Sequence, residues 1–267
     1  MRITRNLIQV ATLTSALLAF SSHAMAEAED KFWPAMKEAF FAGKKIEEGP
    51  FIKLEAPKRA ESGAQVPLTL TIEKPLTGAD AIKKVYLLVD ANPIQLAAIY
   101  HFTPLNGQAQ VDTRIRLETD SYIRAIGETA DGRYFMSTTA VRAAGGCGGA
   151  LEVNMAEIRA NSGKIKMNVS EPLKKGEINH ATFRIKHPMM TGLQRDLSTG
   201  GFWPAFFINK VAFTYNGQPL MQADLGVAIS EDPYMRINFI ADAPGKIEAK
   251  AEDNEGRTFV QEVEVKI

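Results

Sequence analysis

One side chain in this sequence has evident covalent chemistry. Cys147 is the only cysteine, and it sits in the run Gly145-Gly146-Cys147-Gly148-Gly149. The four glycines bring no Cβ and little conformational preference. A structural cysteine is expected among apolar neighbours, and these neighbours cannot build a core. The run therefore reads as a flexible arm of Gly145, Gly146, Gly148 and Gly149 that presents an accessible thiol. A thiol acts as nucleophile through its thiolate, and a free one, with a pKa of about 8.5, is only a few per cent ionised at neutral pH. The basic residue Arg142 is five positions away, so nothing adjacent in sequence clearly lowers that value. A hydrolase would hold its nucleophile rigidly beside a base, whereas glycine pairs hold this one loosely. The pattern fits a covalent attachment site that partner enzymes activate, with no catalytic residue of the chain's own.

Other chemistries find little support. Past the first 26 residues the histidines are His101, His180 and His187, none at ligand spacing from another, and Cys147 has no partner cysteine. No structural zinc, iron–sulfur or other metal site is expected, nor any cofactor. The glycine run lacks the Lys-Ser/Thr of a phosphate-binding loop, and no helical pattern directly follows it. Arg114 and Arg116 read as the solvated face of a strand, Trp203-Pro204 as a loop anchor, and His187 as a structural or interface histidine in a turn.

The elements that must position the thiol read as β. Val66, Leu68, Leu70 and Ile72 alternate with polar or small residues, as do Val111, Thr113, Ile115 and Leu117. Val85–Val89, Tyr122–Ile126 and Tyr134–Val141 complete a first set, separated by Thr77-Gly78, Asn92-Pro93, Asn106-Gly107 and Asp131-Gly132 turns. Ile165–Val169, Ile178–Ile185, Phe206–Tyr215, Leu220–Ala223, Tyr234–Ile240, Gly245–Ala251 and Thr258–Ile267 form a second set. The fold expected is all-β, two immunoglobulin-like β-sandwich domains in tandem. The boundary falls at Gly149: residues 27–149 end in the arm and residues 150–267 form the second domain. From a strand ending at Val141, Cys147 reaches about 20 Å. Ahead of the first sandwich, Asp30–Phe41 reads as a short helix, capped by Asp30, carrying Pro34 in its first turn and stopped by Gly43.

The N-terminus reads as a Sec-type signal peptide. Arg2 and Arg5 precede an uncharged apolar stretch from Leu7 to Phe20, and Ala24-Met25-Ala26 fits a small-x-small cleavage site near Ala26. The apolar run is too short and interrupted for stable membrane insertion. Removal of residues 1–26 leaves 29 basic against 31 acidic side chains. That balance argues against nucleic acid and anionic membrane surfaces as partners, since both need a dense basic patch. Export places the lone thiol in an oxidising compartment, where it is a thiol kept for use or one that links two chains through Cys147.

The residues also resemble a known family. The Gly145–Gly149 run resembles the sulfur-binding arm of SoxY. Glu61-Ser62-Gly63-Ala64-Gln65-Val66-Pro67, Asp90-Ala91-Asn92-Pro93 and Thr113-Arg114-Ile115-Arg116 resemble the SoxY core in the same order. The second half resembles SoxZ through His187-Pro188-Met189-Met190-Thr191-Gly192, Arg195-Asp196, Phe213-Thr214-Tyr215-Asn216-Gly217, Ala223-Asp224-Leu225 and Asp232-Pro233-Tyr234. The resemblance implies a periplasmic SoxYZ carrier whose arm cysteine holds intermediates of thiosulfate oxidation. Its partners would be redox enzymes: a c-type cytochrome that couples thiosulfate to the thiol, a hydrolase that removes sulfate, and a sulfane dehydrogenase. Two features depart from the pattern. The SoxY arm ends its chain, whereas here the SoxZ-like half follows, so the tip must enter a pocket as a loop unless the linker 150–158 unravels. Met190 stands where the SoxZ motif usually has glutamate. Fused chains of this type resemble SoxYZ-like carriers associated with quinoprotein dehydrogenases. The alternative function is thus a non-catalytic accessory protein that docks on such a dehydrogenase or its cytochrome, with the thiol dispensable or dimer-forming.

Overall fold

The structure is a computed structural model. It describes residues 20–143 and 154–267, with side chains from residue 31 onward. The N-terminal unit, through Lys44, and the unit Lys45–Ile267 are separate compact bodies.

The first unit holds helix α1, Phe20–Phe41. It starts ten residues before the expected Asp30 cap, so Asp30 lies inside it and Pro34 is an interior proline rather than a first-turn one. The physical reason is the run Ala24-Met25-Ala26-Glu27-Ala28, all strong helix formers that carry the helix upstream. Gly43 ends it as expected, in the left-handed region at φ 70°.

The second unit is a β-sandwich. In chain order its first half runs β1 (Ile46–Glu48), β2 (Ile52–Glu55), β3 (Arg59–Ala60), β4 (Val66–Ile72), β5 (Ile82–Val89), β6 (Leu96–Phe102), β7 (Gln110–Ile115), β8 (Ser121–Thr129) and β9 (Tyr134–Ala143). Helix α2 (Met155–Asn161) follows, then β10 (Ile165–Val169), β11 (Ile178–Ile185), β12 (Ile208–Tyr215), β13 (Gln218–Leu225), β14 (Tyr234–Ile240), β15 (Gly245–Asp253) and β16 (Thr258–Val265). The Asn216-Gly217 turn joins β12 to β13 with both residues at positive φ, 49° and 78°, the conformation a two-residue hairpin needs.

Both sheets run through both halves. One has the order β1-β9-β8-β5-β6-β13-β12-β15-β16, with β3 also on β9; the other is β10-β11-β14-β7-β4-β2. The first crosses between the halves at β6 and β13, antiparallel from Met221 opposite Phe102 to Leu225 opposite Ala98. The second crosses at β7 and β14, from Met235 opposite Thr113 to Ile237 opposite Val111. One apolar core continues across the crossing, with Tyr100, Val111, Ala223 and Ile237 all buried. Between the sheets Phe183 meets Phe213 edge-on at 5.4 Å.

Polar groups fix the register of the crossing. The Asn106 amide donates to the Asn238 carbonyl at 2.8 Å, Arg236 pairs with Asp112 at 3.1 Å and His101 contacts Asp224 at 2.7 Å. The backbones approach closely at Gly226, whose N–H donates to Ala97 O at 2.8 Å. A Cβ there would fall 2.4 Å from the Leu96 carbonyl oxygen. Each half alone would leave an open strand edge in both sheets. A chain cut at an engineered protease site between Ala143 and Asn154 is therefore expected to stay a 1:1 complex on size exclusion without denaturant; separation into two species would contradict the shared sheets.

Arg116 corrects the sequence reading. It lies past the end of β7, only 9% exposed. Its guanidinium donates to the carbonyls of Met189 and Pro188, so it ties the two halves together instead of lying solvated. The strand alternation breaks there because Ile115, Arg116 and Leu117 are all buried in succession.

Candidate functional site

Cys147 and Gly145, Gly146, Gly148 and Gly149 lie outside the described residues. The structure gives the two anchors between which they run, at Ala143 and at Asn154.

The upstream anchor is the end of β9. Val141 is buried opposite Ser121 of β8. On its other edge β9 takes the two-residue β3 in parallel, with Arg59 beside Arg142 and Ala60 beside Ala143. The Arg142 N–H donates to Lys58 O at 3.0 Å, and the Ala143 N–H donates to Asp120 Oδ1 at 2.9 Å. With the strand held to Ala143, Cys147 is four residue steps from a fixed point, a reach of about 14 Å. This is shorter than the distance expected from a strand ending at Val141.

Asp120 belongs to a braced segment. Asn92 donates to Arg116 O at 2.9 Å and accepts the Glu118 N–H at 3.0 Å. The Ser121 hydroxyl accepts the Ala91 N–H at 3.0 Å. Asp90 precedes both and pairs with Arg124, each side chain 1% exposed, at 2.8 Å. Burial pushes the Asp90 carboxyl up from the ordinary carboxylate range, and Arg124 opposes that push. The Asp90-Ala91-Asn92-Pro93 motif thus acts at one remove, steadying the segment that grips the arm's first end.

The downstream anchor is α2, an element the sequence reading missed. Its signal was present: Asn154 followed three residues later by Glu157 is a helix-start pattern, and Asn154 Oδ1 accepts the Glu157 N–H at 3.3 Å. Arg159 grips Glu255 through two bonds, Nη2 to Oε1 at 2.6 Å and Nε to Oε2 at 3.2 Å. Arg159 holds Glu255 below the usual carboxylate range. The Arg159 carbonyl accepts from Arg257 Nη1 at 3.2 Å, and Arg257 is fixed by the buried Asp253 at 2.8 Å. The chain then rejoins the sheet at Gly163, whose N–H donates to Lys186 O at 2.8 Å. A Cβ there would overlap the Phe259 ring at 2.0 Å, and φ is +94°, so glycine is required.

His187 is structural, as the sequence suggests. It is fully buried, 4.3 Å from the Phe206 ring centroid. The Met189 N–H donates to its Nδ1 at 3.3 Å, and its own N–H donates to Asp232 at 3.0 Å. Nδ1 as acceptor leaves the proton on Nε2, which has no partner. Burial pushes the imidazole down to about 4, with Asp253 opposing and Arg257 adding to the effect. A pocket of about 270 Å³ lies beside it, walled by Glu157, Asn161 and Ser162 on one side and Pro188 and Asp232 on the other. Met190 is also buried, its backbone paired both ways with Phe206.

Among the described residues no group of three or more histidine, cysteine or acidic side chains is placed to hold a metal. Nor, among them, is any helix long and apolar enough to cross a membrane.

A mostly β body with two coupled halves, broken at its midpoint by a glycine-flanked cysteine, is the class of protein that these features define. The family model of sulfur oxidation protein SoxY matches residues 37–147, ending on Cys147, and that of sulphur oxidation protein SoxZ matches residues 165–264. The chain belongs to this family: it is a SoxY-like half fused to a SoxZ-like half. A search of curated proteins finds no match. Solved structures include the sulfur carrier protein SoxY from Chlorobium limicola f thiosulfatophilum, 20% identical over 46% of this chain and 99% of that one, with a TM-score of 0.37. Fibronectin(III)-like modules of Clostridium thermocellum CbhA are 13% identical over 81% and 93% of the two chains, with a TM-score of 0.26.

Proposed function

We propose that this chain is a periplasmic carrier that holds a thiosulfate-derived sulfur intermediate on Cys147 and presents it to partner redox enzymes. The observation that carries this reading is the lone glycine-flanked cysteine on which the SoxY match ends, anchored at both sides by a body without a metal-ligand cluster among its described residues. In the loading step the Cys147 sulfur bonds to the sulfane sulfur of thiosulfate. The product is a thiosulfonate on the cysteine; one proton leaves, and two electrons pass to a c-type cytochrome. Water then cleaves the bond between sulfane sulfur and sulfonate at a partner hydrolase, releasing sulfate and one proton and leaving a protonated persulfide, Cys-S-SH, on Cys147. The chain catalyses neither step. Residues 27–149 supply the arm and residues 150–267 the second anchor, after export and cleavage near Ala26.

The accessory reading is supported by two features, the fusion itself and buried Met190 in place of a glutamate. There the body docks on a quinoprotein dehydrogenase or its cytochrome and Cys147 is dispensable or links two copies. Cys147→Ser separates the two. Thiosulfate-dependent reduction of cytochrome c by a periplasmic extract lacking the native chain is expected to be restored by wild type and to stay at background with the variant. Equal restoration by both would overturn the carrier role.

A further inference from the structure

We propose that the hairpin between β11 and β12 is the docking surface for the redox partner of the loading step, a protein face that is apolar and carries a carboxylate. The inference rests on the reading of the chain as a carrier and adds where that partner binds.

The hairpin inverts the usual pattern of polar out and apolar in. Two antiparallel bridges close it, Met190 with Phe206 and Arg195 with Phe202. Burial alternates along its first side: Gln194 and Asp196 are 8% and 7% exposed, whereas Leu193 and Leu197 are 50% and 62% exposed. Arg195, between the two leucines in this alternation, is exposed as well. Alternate residues share a face, and so do residues directly opposite across a pair. Phe202 is opposite Arg195 and 59% exposed, so it joins Leu193, Arg195 and Leu197 on the outer face. The polar side chains turn inward and hold the loop. Gln194 Oε1 accepts the Thr191 N–H and hydroxyl at 3.0 and 2.9 Å. Asp196 accepts the Ser198 N–H and hydroxyl at 2.8 and 2.6 Å and the Thr199 hydroxyl at 2.7 Å. Display of apolar groups gains nothing for the hairpin's own folding. An aromatic ring and an arginine on a pre-ordered backbone are what an interface uses as anchors.

The patch continues onto the first half. Thr191 and Leu193 line one shallow cleft with Pro93, Ile94 and Glu118, and Ile94 is 43% exposed. Asn92 holds the Glu118 N–H, and two residues further on Asp120 holds the Ala143 N–H at the end of β9. A partner on this surface therefore touches both halves and sits near Ala143. Size and charge decide which partner. A handful of side chains is far short of the roughly 20–30 residues a side of a stable interface, and small interfaces are typical of redox encounters. A transient redox partner thus fits better than a permanent second copy. Arg195 is the only cation between Pro188 and Phe207. It stacks 5.5 Å from the Phe202 ring centroid and joins no ion pair among the described residues, so a partner's carboxylate can take it. One cation without a basic cluster does not suit an anionic lipid surface.

The test is binding to the c-type cytochrome purified from the same periplasm by its thiosulfate-dependent reduction. It is measured by interferometry on immobilised Cys147→Ser, so that no covalent bond contributes. In that background Leu197→Ser with Phe202→Ser is expected to weaken binding at least about tenfold, with the melting temperature within about 3 °C. Arg195→Glu should weaken binding several-fold and flatten its salt dependence between about 0.05 and 0.5 M, and Arg195→Lys should recover most of the loss. Equal affinities in the parent and the double variant, or no binding by the parent, would overturn the proposal. So would a dimer in sedimentation velocity, or co-sedimentation with phosphatidylethanolamine–phosphatidylglycerol vesicles, that the double variant abolishes; these would assign the patch to a second copy or to lipid. The thiol is absent throughout, so the carrier role stands or falls separately, on the adduct at Cys147.

Discussion

Asp90→Ala is expected to lower the unfolding free energy by about 3–5 kcal/mol, the usual consequence of removing one partner from a buried ion pair. Both side chains of the Asp90–Arg124 pair are 1% exposed, and three N–H···O contacts join them: Nε to Oδ1 at 2.9 Å, Nε to Oδ2 at 3.0 Å and Nη2 to Oδ2 at 2.8 Å. The variant strips the carboxylate from a guanidinium that stays buried between β8 and the turn after β5. Asp90→Asn, which keeps acceptor capacity but not the charge, should lose less. In the double variant Asp90→Ala with Arg124→Met no charge is left without its counterpart, so the loss should shrink relative to Asp90→Ala alone, a coupling that a double-mutant cycle in urea measures. The loss should extend to the arm: Asn92 and Ser121 brace the segment that ends in Asp120, and Asp120 bonds the Ala143 N–H. Equal midpoints for wild type and Asp90→Ala would show that the pair does not hold this corner.

The second large effect is acid destabilisation through His187. Its folded pKa is about 4 against an ordinary value of 6.5. Between these values the unfolded chain binds a proton that the native state refuses, so stability rises with pH across the window. The contribution is complete above pH 6.5 and is lost as pH falls toward 4. The shift corresponds to about 3 kcal/mol. Denaturation midpoints from pH 7 to pH 4 should therefore fall more steeply than in His187→Asn, which keeps an acceptor for the Met189 N–H but cannot titrate. Parallel pH profiles in the two proteins would rule out His187 as the source. NMR titration of the imidazole gives the same answer directly, since a midpoint near 6.5 would contradict its burial against Phe206.

The all-β character and most strands were legible because one face of each is buried. Val66 to Ile72 alternates in sequence, and the same residues alternate in burial. Strand β6 was not legible. Leu96-Ala97-Ala98-Ile99-Tyr100 has no alternation because the strand is central, flanked by β5 and β13 and largely buried. β1 to β3 are only two to four residues long, too short for any period to show. The passage of both sheets through both halves depends on which distant strands pair, and no local pattern encodes that. In the last strand the alternation carries over: Phe259 and Val263 are half-buried and Val265 is buried, while Val260 on the opposite face is 55% exposed. For the site, the cysteine and its glycines could be read from residue types alone. The ties at the anchors could not, because Asp120 meets Ala143, and Arg159 meets Glu255, only through the fold.

Peptide-resolved mass spectrometry of Cys147, after the protein has met thiosulfate and periplasmic extract, tests the carrier role most directly. The account predicts a thiosulfate-derived adduct on Cys147 that reductant removes and that is absent from Cys147→Ser. A Cys147 that stays a free thiol, or is found only as a disulfide to a second copy, while the extract oxidises thiosulfate through this protein, would contradict it.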